Sequence, residues 1–246
     1  MTFLERVSLM ESKTSQNRIT GLLIVGLIAG IVALLGDLLL GWGTYDPALE
    51  GLARKLSIYS DMSETRIFWS ALCGLIGITV EEIGCLAIYR LIEPNSKKTA
   101  RLFLTGTLGY MIFAGGAVHV QCLATVFVNR YMLKTDPENA LSLTTKFGTY
   151  FLLPGIVIFL LFFILQSVAF IYAFIKGLTP YPKWCVIFCV PVGMMISVLT
   201  GKIGNYNITN AIRCAWISIG NLFMFSGLLI MENRKEIMLI LAAEII

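Results

Sequence analysis

Six stretches of the sequence are apolar over a length that matches the hydrocarbon core of a bilayer, and this feature constrains the fold most. A helix needs about 20 apolar residues to cross that core. Only 14% of the 246 residues are charged and mean hydropathy is +0.80, whereas an ordinary soluble domain is about 25% charged. The sequence therefore predicts an all-α integral membrane protein, a bundle of six transmembrane helices in one domain over residues 1–246. The predicted spans are about residues 18–42, 67–91, 102–128, 148–176, 184–201 and 211–231.

The basic residues of the loops predict the orientation of these helices. Cytoplasmic loops carry an excess of Lys and Arg. Eleven of the 19 Lys and Arg residues fall on the side that holds both termini, helped by the basic turn at residues 93–101. We therefore expect a multi-pass protein of the cell membrane, surrounded by lipid, with both termini cytoplasmic. The net charge of +4 follows the same rule, and no basic run interleaved with aromatic residues indicates a nucleic-acid partner.

The first external loop, residues 44–66, is long for a simple hairpin. Apolar residues recur in it at helical spacing, at Leu49, Leu52, Ala53, Leu56 and Tyr59. This pattern is typical of a short amphipathic helix lying on a membrane interface. Such a helix either covers the bundle as a lid or simply connects the first two spans.

The first predicted span carries small residues and one acid on a single face, because steps of three and four residues return to the same side of a helix. These residues are Gly26, Gly30, Ala33, Asp37 and Gly41. Small residues let another helix approach closely, whereas a carboxylate is costly in hydrocarbon unless it meets a partner. We therefore expect this face to pack inward.

The second predicted span repeats the pattern with Gly74, Gly77, Glu81 and Gly84. Two small-residue faces, each with one acid, predict that the first two spans pack around a shared centre. Because Asp37 lies nearer the outer end than Glu81, the two acids are expected at two depths of one outward-facing cavity.

Four ionisable residues within the spans are candidate catalytic residues. Glu82 follows Glu81 about 100° further around the helix, and His119 in the third span is the only His of the chain. Intramembrane ionisable residues are expensive and usually functional. One glutamate and His119 would exchange protons as general acid and base, and Asp37 would orient His119 or stabilise a cationic intermediate.

Further polar and aromatic residues are candidates for ligand binding. They are Gln121, Lys202, Asn205, Trp216 and Asn221. Asn221 is expected near the membrane centre, and Lys202 at the outer boundary. Together with the four ionisable residues they are expected to line the outward-facing cavity.

Metal and cofactor sites find little support in the sequence. The six cysteines lie inside or at the edge of apolar segments without a CxxC pair, and a site built from His119 and carboxylates lacks nitrogen ligands. No phosphate-binding loop, GxSxG elbow or HExxH motif occurs. We expect no metal and no cofactor.

Three functional classes remain open. The chain is an intramembrane enzyme acting on a lipid-like substrate, a transporter or proton-coupled carrier of a small cation, or a structural or partner-binding protein whose buried acids hold helices together. The predicted function is the binding of a small amphipathic molecule in the outward-facing cavity, with processing or transport as open extensions. A homo-oligomer is compatible with each class.

Two resemblances add to this interpretation. The motif GDLLLGW at residues 36–42, the segment SDMSETRIFWSALCGLIGI at residues 60–78, and His119 resemble a family of small bacterial polytopic membrane proteins of no assigned activity. The resemblance covers about the first half of the chain and implies a bundle of six or seven helices.

More remotely, intramembrane carboxylates with a single His are similar to the emopamil-binding, sterol-isomerase-like bundles. In those bundles a His and Glu pair shuttles protons. The present chain differs because its two glutamates are adjacent on one helix, so the activity of that family is not carried over.

Overall fold

The computed structural model describes the backbone of residues 3–244 and the side chains of residues 16–234. All regular elements of this part of the chain are helices, and it contains no strand. The α-helices are α1 (Phe3–Gly41), α2 (Gly51–Ser57), α3 (Glu64–Gly84), α4 (Leu86–Ile92), α5 (Lys97–Phe113), α6 (Gln121–Thr135), α7 (Pro137–Phe147), α8 (Leu153–Ile175), α9 (Val190–Thr200), α10 (Asn207–Cys214) and α11 (Trp216–Glu244). Two π-helical segments, Ala114–Val120 and Gly148–Leu152, and a 3₁₀ segment, Lys183–Phe188, lie between them.

Four helical stretches of the described chain are long and apolar enough to cross a membrane. They are Gln16–Gly41, Glu64–Ile92, Lys97–Thr135 and Pro137–Ile175. A fifth is obtained if α10 and the part of α11 up to Arg234, which meet at an angle of 68°, count as one span. The all-helical fold with several apolar helices of membrane length is thus confirmed.

The last two predicted spans are broken. Residues 184–201 form the 3₁₀ segment and the 11-residue α9, separated at Cys189, whose backbone is extended. Pro191 lies in the first turn of α9, where its missing N–H has no intrahelical partner, and it cannot continue a helix from the preceding segment. The predicted helix 211–231 instead begins at Trp216, after a bend at Ala215 that no Gly or Pro marks.

Helices α1 and α3 pack backbone against backbone along the two predicted small-residue faces. A Cβ atom at Gly84 would overlap the backbone of Gly26, and one at Gly77 would overlap the backbone of Ala33. Neither position has space for a side chain. The predicted close packing of these faces is therefore confirmed, and it holds α1 and α3 together at the centre of the bundle.

Loops gather at the two ends of the bundle. At one end, the amide of Asn205 both accepts from and donates to the backbone of Tyr45, at 2.9 Å each, and Asn210 donates to the carbonyl of Gly43. We call this end, formed by residues 42–63, 136 and 201–206, the Tyr45 face. At the opposite end Asn95 donates to the carbonyl of Leu178.

The predicted amphipathic helix of the first loop is present as α2 at the Tyr45 face. It is shorter than the pattern, and none of its residues is buried. A helix with so little buried surface is held weakly. We therefore expect α2 to be loosely packed on the Tyr45 face.

Candidate functional site

Asp37 and His119 lie side by side in the interior, on α1 and on the π-helical segment Ala114–Val120. The Nδ1 atom of His119 is 3.2 Å from a carboxylate oxygen of Asp37, and the hydroxyl of Ser218 donates to the other oxygen at 2.6 Å. The His119 ring occupies the space that a side chain at Gly74 would need. The small residue at Gly74 is thus what allows the ring to approach α3.

The hydrogen bonds of His119 limit its chemistry. Its Nε2 atom lies 2.9 Å from the backbone carbonyl of Ser70. A carbonyl oxygen only accepts, so Nε2 carries a proton and donates it. The Nδ1 atom faces a carboxylate, so the contact requires one proton between His119 and Asp37, on either partner. His119 and Asp37 therefore share a single proton between them. The Nε2 atom takes no part in this contact, because it donates to Ser70.

The π-helical segment itself positions the ring. Single π turns inside α-helices are rare and occur frequently at functional sites. Here the segment separates α5 from α6 and places Ala114, Val118 and His119 on one wall of a cavity. Gly115 and Gly116 are the only features of the sequence near this turn that could have indicated it.

A small inner cavity of about 200 Å³ surrounds the Asp37–His119 pair. Its polar wall comes from those two residues with Tyr110 and Ser218, and its apolar wall includes Ile78 and Phe159. Trp216, a predicted ligand-binding residue, also lines it. The inner cavity has room for a small group beside the carboxylate.

Glu81 does not line the inner cavity. It is completely buried, and one of its carboxylate oxygens accepts from the amide of Asn221 at 2.9 Å. Its other oxygen has no hydrogen-bond partner among the described residues and lies where a side chain at Gly30 would sit. Asn221 also lies 3.5 Å from the hydroxyl of Tyr110, which reaches the inner cavity. Tyr110 and Asn221 thus lie between the inner cavity and Glu81, so Asp37 and Glu81 do not share one cavity as predicted.

Glu82 points to a third location, between α3, α5 and α8. Its carboxylate accepts from the amide of Gln166 at 2.7 Å, and the same amide donates to the hydroxyl of Thr107 at 3.0 Å. Neither Glu81 nor Glu82 makes a hydrogen bond or ion pair with His119 among the described side chains. The structure therefore does not assemble the predicted Glu–His proton exchange, and the catalytic roles stay predictions.

The remaining predicted ligand residues are dispersed. Asn205 uses its amide to join the loops of the Tyr45 face, and Lys202 is exposed there. Gln121 begins α6, where its carbonyl accepts from Thr125. None of these three lines the inner cavity. The expected convergence of all nine residues on one cavity is not observed.

A second, larger cavity opens at the Tyr45 face and was not predicted. It measures about 980 Å³ and lies between α2, α6 and the start of α8. Its walls are mainly apolar, from residues such as Leu56, Val126, Leu152 and Ile156, and its basic residues are Arg54, Lys55 and Arg213. We call it the outer cavity.

The outer and inner cavities meet at Cys122, which lines both. Tyr59, on the wall of the outer cavity, is packed so that burial raises the pKa of its phenol well above the ordinary value of 10. The Tyr45 face is therefore connected to the Asp37–His119 pair through one shared wall residue.

The described part of the chain contains no disulfide bond and no cluster of side chains suited to a metal ion. All six cysteines are free thiols, and no group of three or more His, Cys, Asp or Glu side chains could hold a metal ion among the residues searched. Glu232 directly follows the last predicted span, 211–231, and was not predicted as a site residue. Its buried carboxylate accepts a short hydrogen bond from Tyr181 near the end of the bundle opposite the Tyr45 face.

Comparisons with known proteins place the chain in a family. No curated protein and no solved structure matches it. A family model matches residues 10–235, which is far more of the chain than the half over which the sequence motifs showed a resemblance. The predicted membership in a family without an assigned activity is thereby confirmed. The chain belongs to a family of unknown function, described as DUF6796.

Proposed function

We propose that the chain is a multi-pass membrane protein that binds a small amphipathic molecule in the outer cavity, with the Tyr45 face directed outward. In this proposal the broken segments 183–200 and 207–234 complete a bundle of six membrane segments. Both termini then lie in the cytoplasm, as the excess of basic residues favours.

The observation that carries the proposal is the outer cavity. Ligand pockets measure about 300–1,000 Å³ and combine apolar walls with a few polar groups, and this one has about 980 Å³ with that composition. Its apolar wall lies against α6 and α8, while its cations stand at the α2 and α10 rim. An amphipathic molecule matches this division, because its chain can pack against the helices and its polar end can reach the rim.

The inner cavity supplies a polar end point beneath the ligand. Cys122 lines both cavities, so a ligand in the outer cavity lies next to the wall behind which Asp37 and His119 share a proton. Since Nε2 of His119 is bound to the carbonyl of Ser70, the ring has no free nitrogen to act as a base on a ligand. The hydrogen bonds therefore favour binding over catalysis.

The cation-carrier alternative has less support. Oxygen ligands must converge to hold a hard cation. Here Asp37, Glu81 and Glu82 face different partners, namely His119, Asn221 and Gln166. A purely structural role agrees with Glu81 and Glu82, because their hydrogen bonds join helices. It does not account for the outer cavity.

Co-purified lipid tests the proposal. Gly148 lines the outer cavity, and a Cβ atom there would touch only a methyl group of Thr125 at 3.7 Å. Gly148→Leu should project a side chain into the cavity and obstruct ligand binding without straining the fold. Gly116→Leu is the matched control, because Gly116 also lies in a π-helical segment and also has open space around it.

The protein is extracted in mild detergent and its bound amphiphiles are quantified by mass spectrometry. Wild type and Gly116→Leu should each carry an amphiphile that Gly148→Leu lacks, while all three melt at similar temperatures. Equal amounts of amphiphile in all three would contradict the proposal.

A further inference from the structure

Basic and acidic side chains around α2 line two different cavities. The outer cavity is lined by Arg54, Lys55 and Arg213 and by no carboxylate. A neighbouring cavity of about 540 Å³, on the other side of α2, is lined by Asp46 and Asp61 and by no Lys or Arg. A random surface mixes the two signs, so this separation gives the outer cavity a positive potential of its own.

The three cations of the outer cavity have no acidic partner. Among the described side chains, the only basic group within 4.0 Å of a carboxylate is His119, beside Asp37. Arg213 is nevertheless held in place, because its guanidinium lies 4.9 Å from the centre of the Tyr45 ring and donates to the Tyr45 hydroxyl. A guanidinium fixed on a ring keeps donors free for an oxyanion.

The threonine hydroxyls of the cavity do not compete for this role. Thr125, Thr145 and Thr149 donate their hydroxyl protons to backbone carbonyls four residues earlier in the chain. The hydroxyl of Thr144 donates to Asn129. With these threonine hydroxyls engaged, the charged donors that face a ligand in the outer cavity are Arg54, Lys55 and Arg213, beside the phenols of Tyr45 and Tyr59.

We infer that the amphipathic ligand of the outer cavity carries an anionic headgroup, a phosphate or carboxylate, held between Arg54, Lys55 and Arg213. This inference rests on the proposed function, and it adds the chemical class of the ligand. The apolar chain of the ligand lies against Val126, Leu152 and Ile156. Because α2 supplies two of the three cations and buries none of its residues, the bound headgroup also secures α2 over the cavity.

Two matched probes test the headgroup. The full chain is reconstituted in nanodiscs of phosphatidylcholine, and binding of radiolabelled oleoyl lysophosphatidic acid is compared with that of oleoyl lysophosphatidylcholine, after subtraction of empty nanodiscs. Their acyl chains are identical, so the ratio of Kd values reports the headgroup. We expect the anionic probe to bind at least about tenfold more tightly, since each nearby base favours an anion about fivefold.

Variants localise the effect. Arg54→Gln should weaken the anionic probe about fivefold and leave the zwitterionic probe unchanged, whereas Arg54→Lys keeps the charge and should retain the preference. Lys134→Gln is the control, because Lys134 is exposed near the Tyr45 face and lines neither cavity. Melting temperatures in the same nanodiscs exclude a folding defect.

The outcomes separate the two claims. Equal binding of both probes overturns the anionic headgroup and leaves the proposed function standing. Binding of neither probe overturns the proposed function as well. Complete displacement of the anionic probe by excess inorganic phosphate would show that the site takes a free anion, and it would overturn the assignment to an amphiphile.

Discussion

The Nδ1 atom of His119 lies 3.2 Å from a carboxylate oxygen of Asp37, and this contact joins α1 to a π-helical turn 82 positions further along the chain. The same ring donates from Nε2 to the carbonyl of Ser70, so α3 is tied to the pair as well. A buried carboxylate is tolerated in hydrocarbon only with such partners. The pair therefore links three elements and forms part of the polar wall of the inner cavity.

Nitrogen NMR tests the protonation of this ring. The chain has a single His, so labelling with ¹⁵N-histidine gives one unambiguous set of signals. We predict that Nε2 is protonated and that its proton exchanges slowly with water, because it is buried against a carbonyl. Asp37→Asn should leave Nε2 protonated and change the Nδ1 signal. An unprotonated Nε2 in the wild-type protein would contradict the assignment.

The contact between α1 and α3 predicts a sharp difference between two glycines of one helix. A Cβ atom at Gly36 would lie 2.6 Å from the backbone of Gly74, whereas Gly21 has nothing within 4 Å. Gly36→Ala should destabilise the protein by about 1–3 kcal/mol, as overpacking does. Gly21→Ala should be neutral or stabilising by up to about 1 kcal/mol, because Ala favours the helix. Thermal unfolding in detergent measures both, and equal melting temperatures would refute the close packing.

The burial of Tyr59 predicts a loss of stability at high pH. Burial raises the pKa of this phenol in the folded protein, while in the unfolded chain it ionises near pH 10. Above about pH 10 the unfolded chain therefore loses a proton that the folded protein keeps, so the free energy of unfolding falls as pH rises. Below about pH 10 the ionisation of Tyr59 does not change the free energy of unfolding.

Tyr59→Phe isolates this contribution. Above pH 10 the fall of the free energy of unfolding with pH should become shallower by up to about 1.4 kcal/mol per pH unit. It should not vanish, because burial also raises the pKa of Tyr181 at the other end of the bundle. Denaturant unfolding at pH 8 and pH 11 measures the slope. An unchanged slope in Tyr59→Phe would show that the Tyr59 phenol is not buried in solution.

The sequence predicted the features that depend on local spacing. The small-residue faces that contain Gly26 and Gly77 follow from helical periodicity, and they do pack against each other. The helix in the first loop followed from the spacing of its leucines. In contrast, the bend at Ala215 has no Gly or Pro to mark it, since it depends on how α10 packs across the end of α1, where Gly41 meets Ala211.

The candidate site was less accessible to sequence reasoning because it depends on which helices are neighbours. Glu81 and Glu82 are adjacent in the chain, yet the turn of the helix sends them to Asn221 and Gln166 on different helices. Gln166 was visible as a polar residue in an apolar span, but its partner was not. The outer cavity could not be anticipated, because it arises from the spacing between α2 and α8.

Photo-crosslinking tests the location of the ligand most directly. The protein is incubated in nanodiscs with a single-chain amphiphile that bears a diazirine on its acyl chain, irradiated, and analysed by peptide mass spectrometry. We predict that the label concentrates in residues 122–126 and 148–156, which wall the outer cavity, and that Gly148→Leu removes it while Gly116→Leu does not. Label spread over exposed apolar residues such as Ile28 and Leu161, unaffected by Gly148→Leu, would contradict the account.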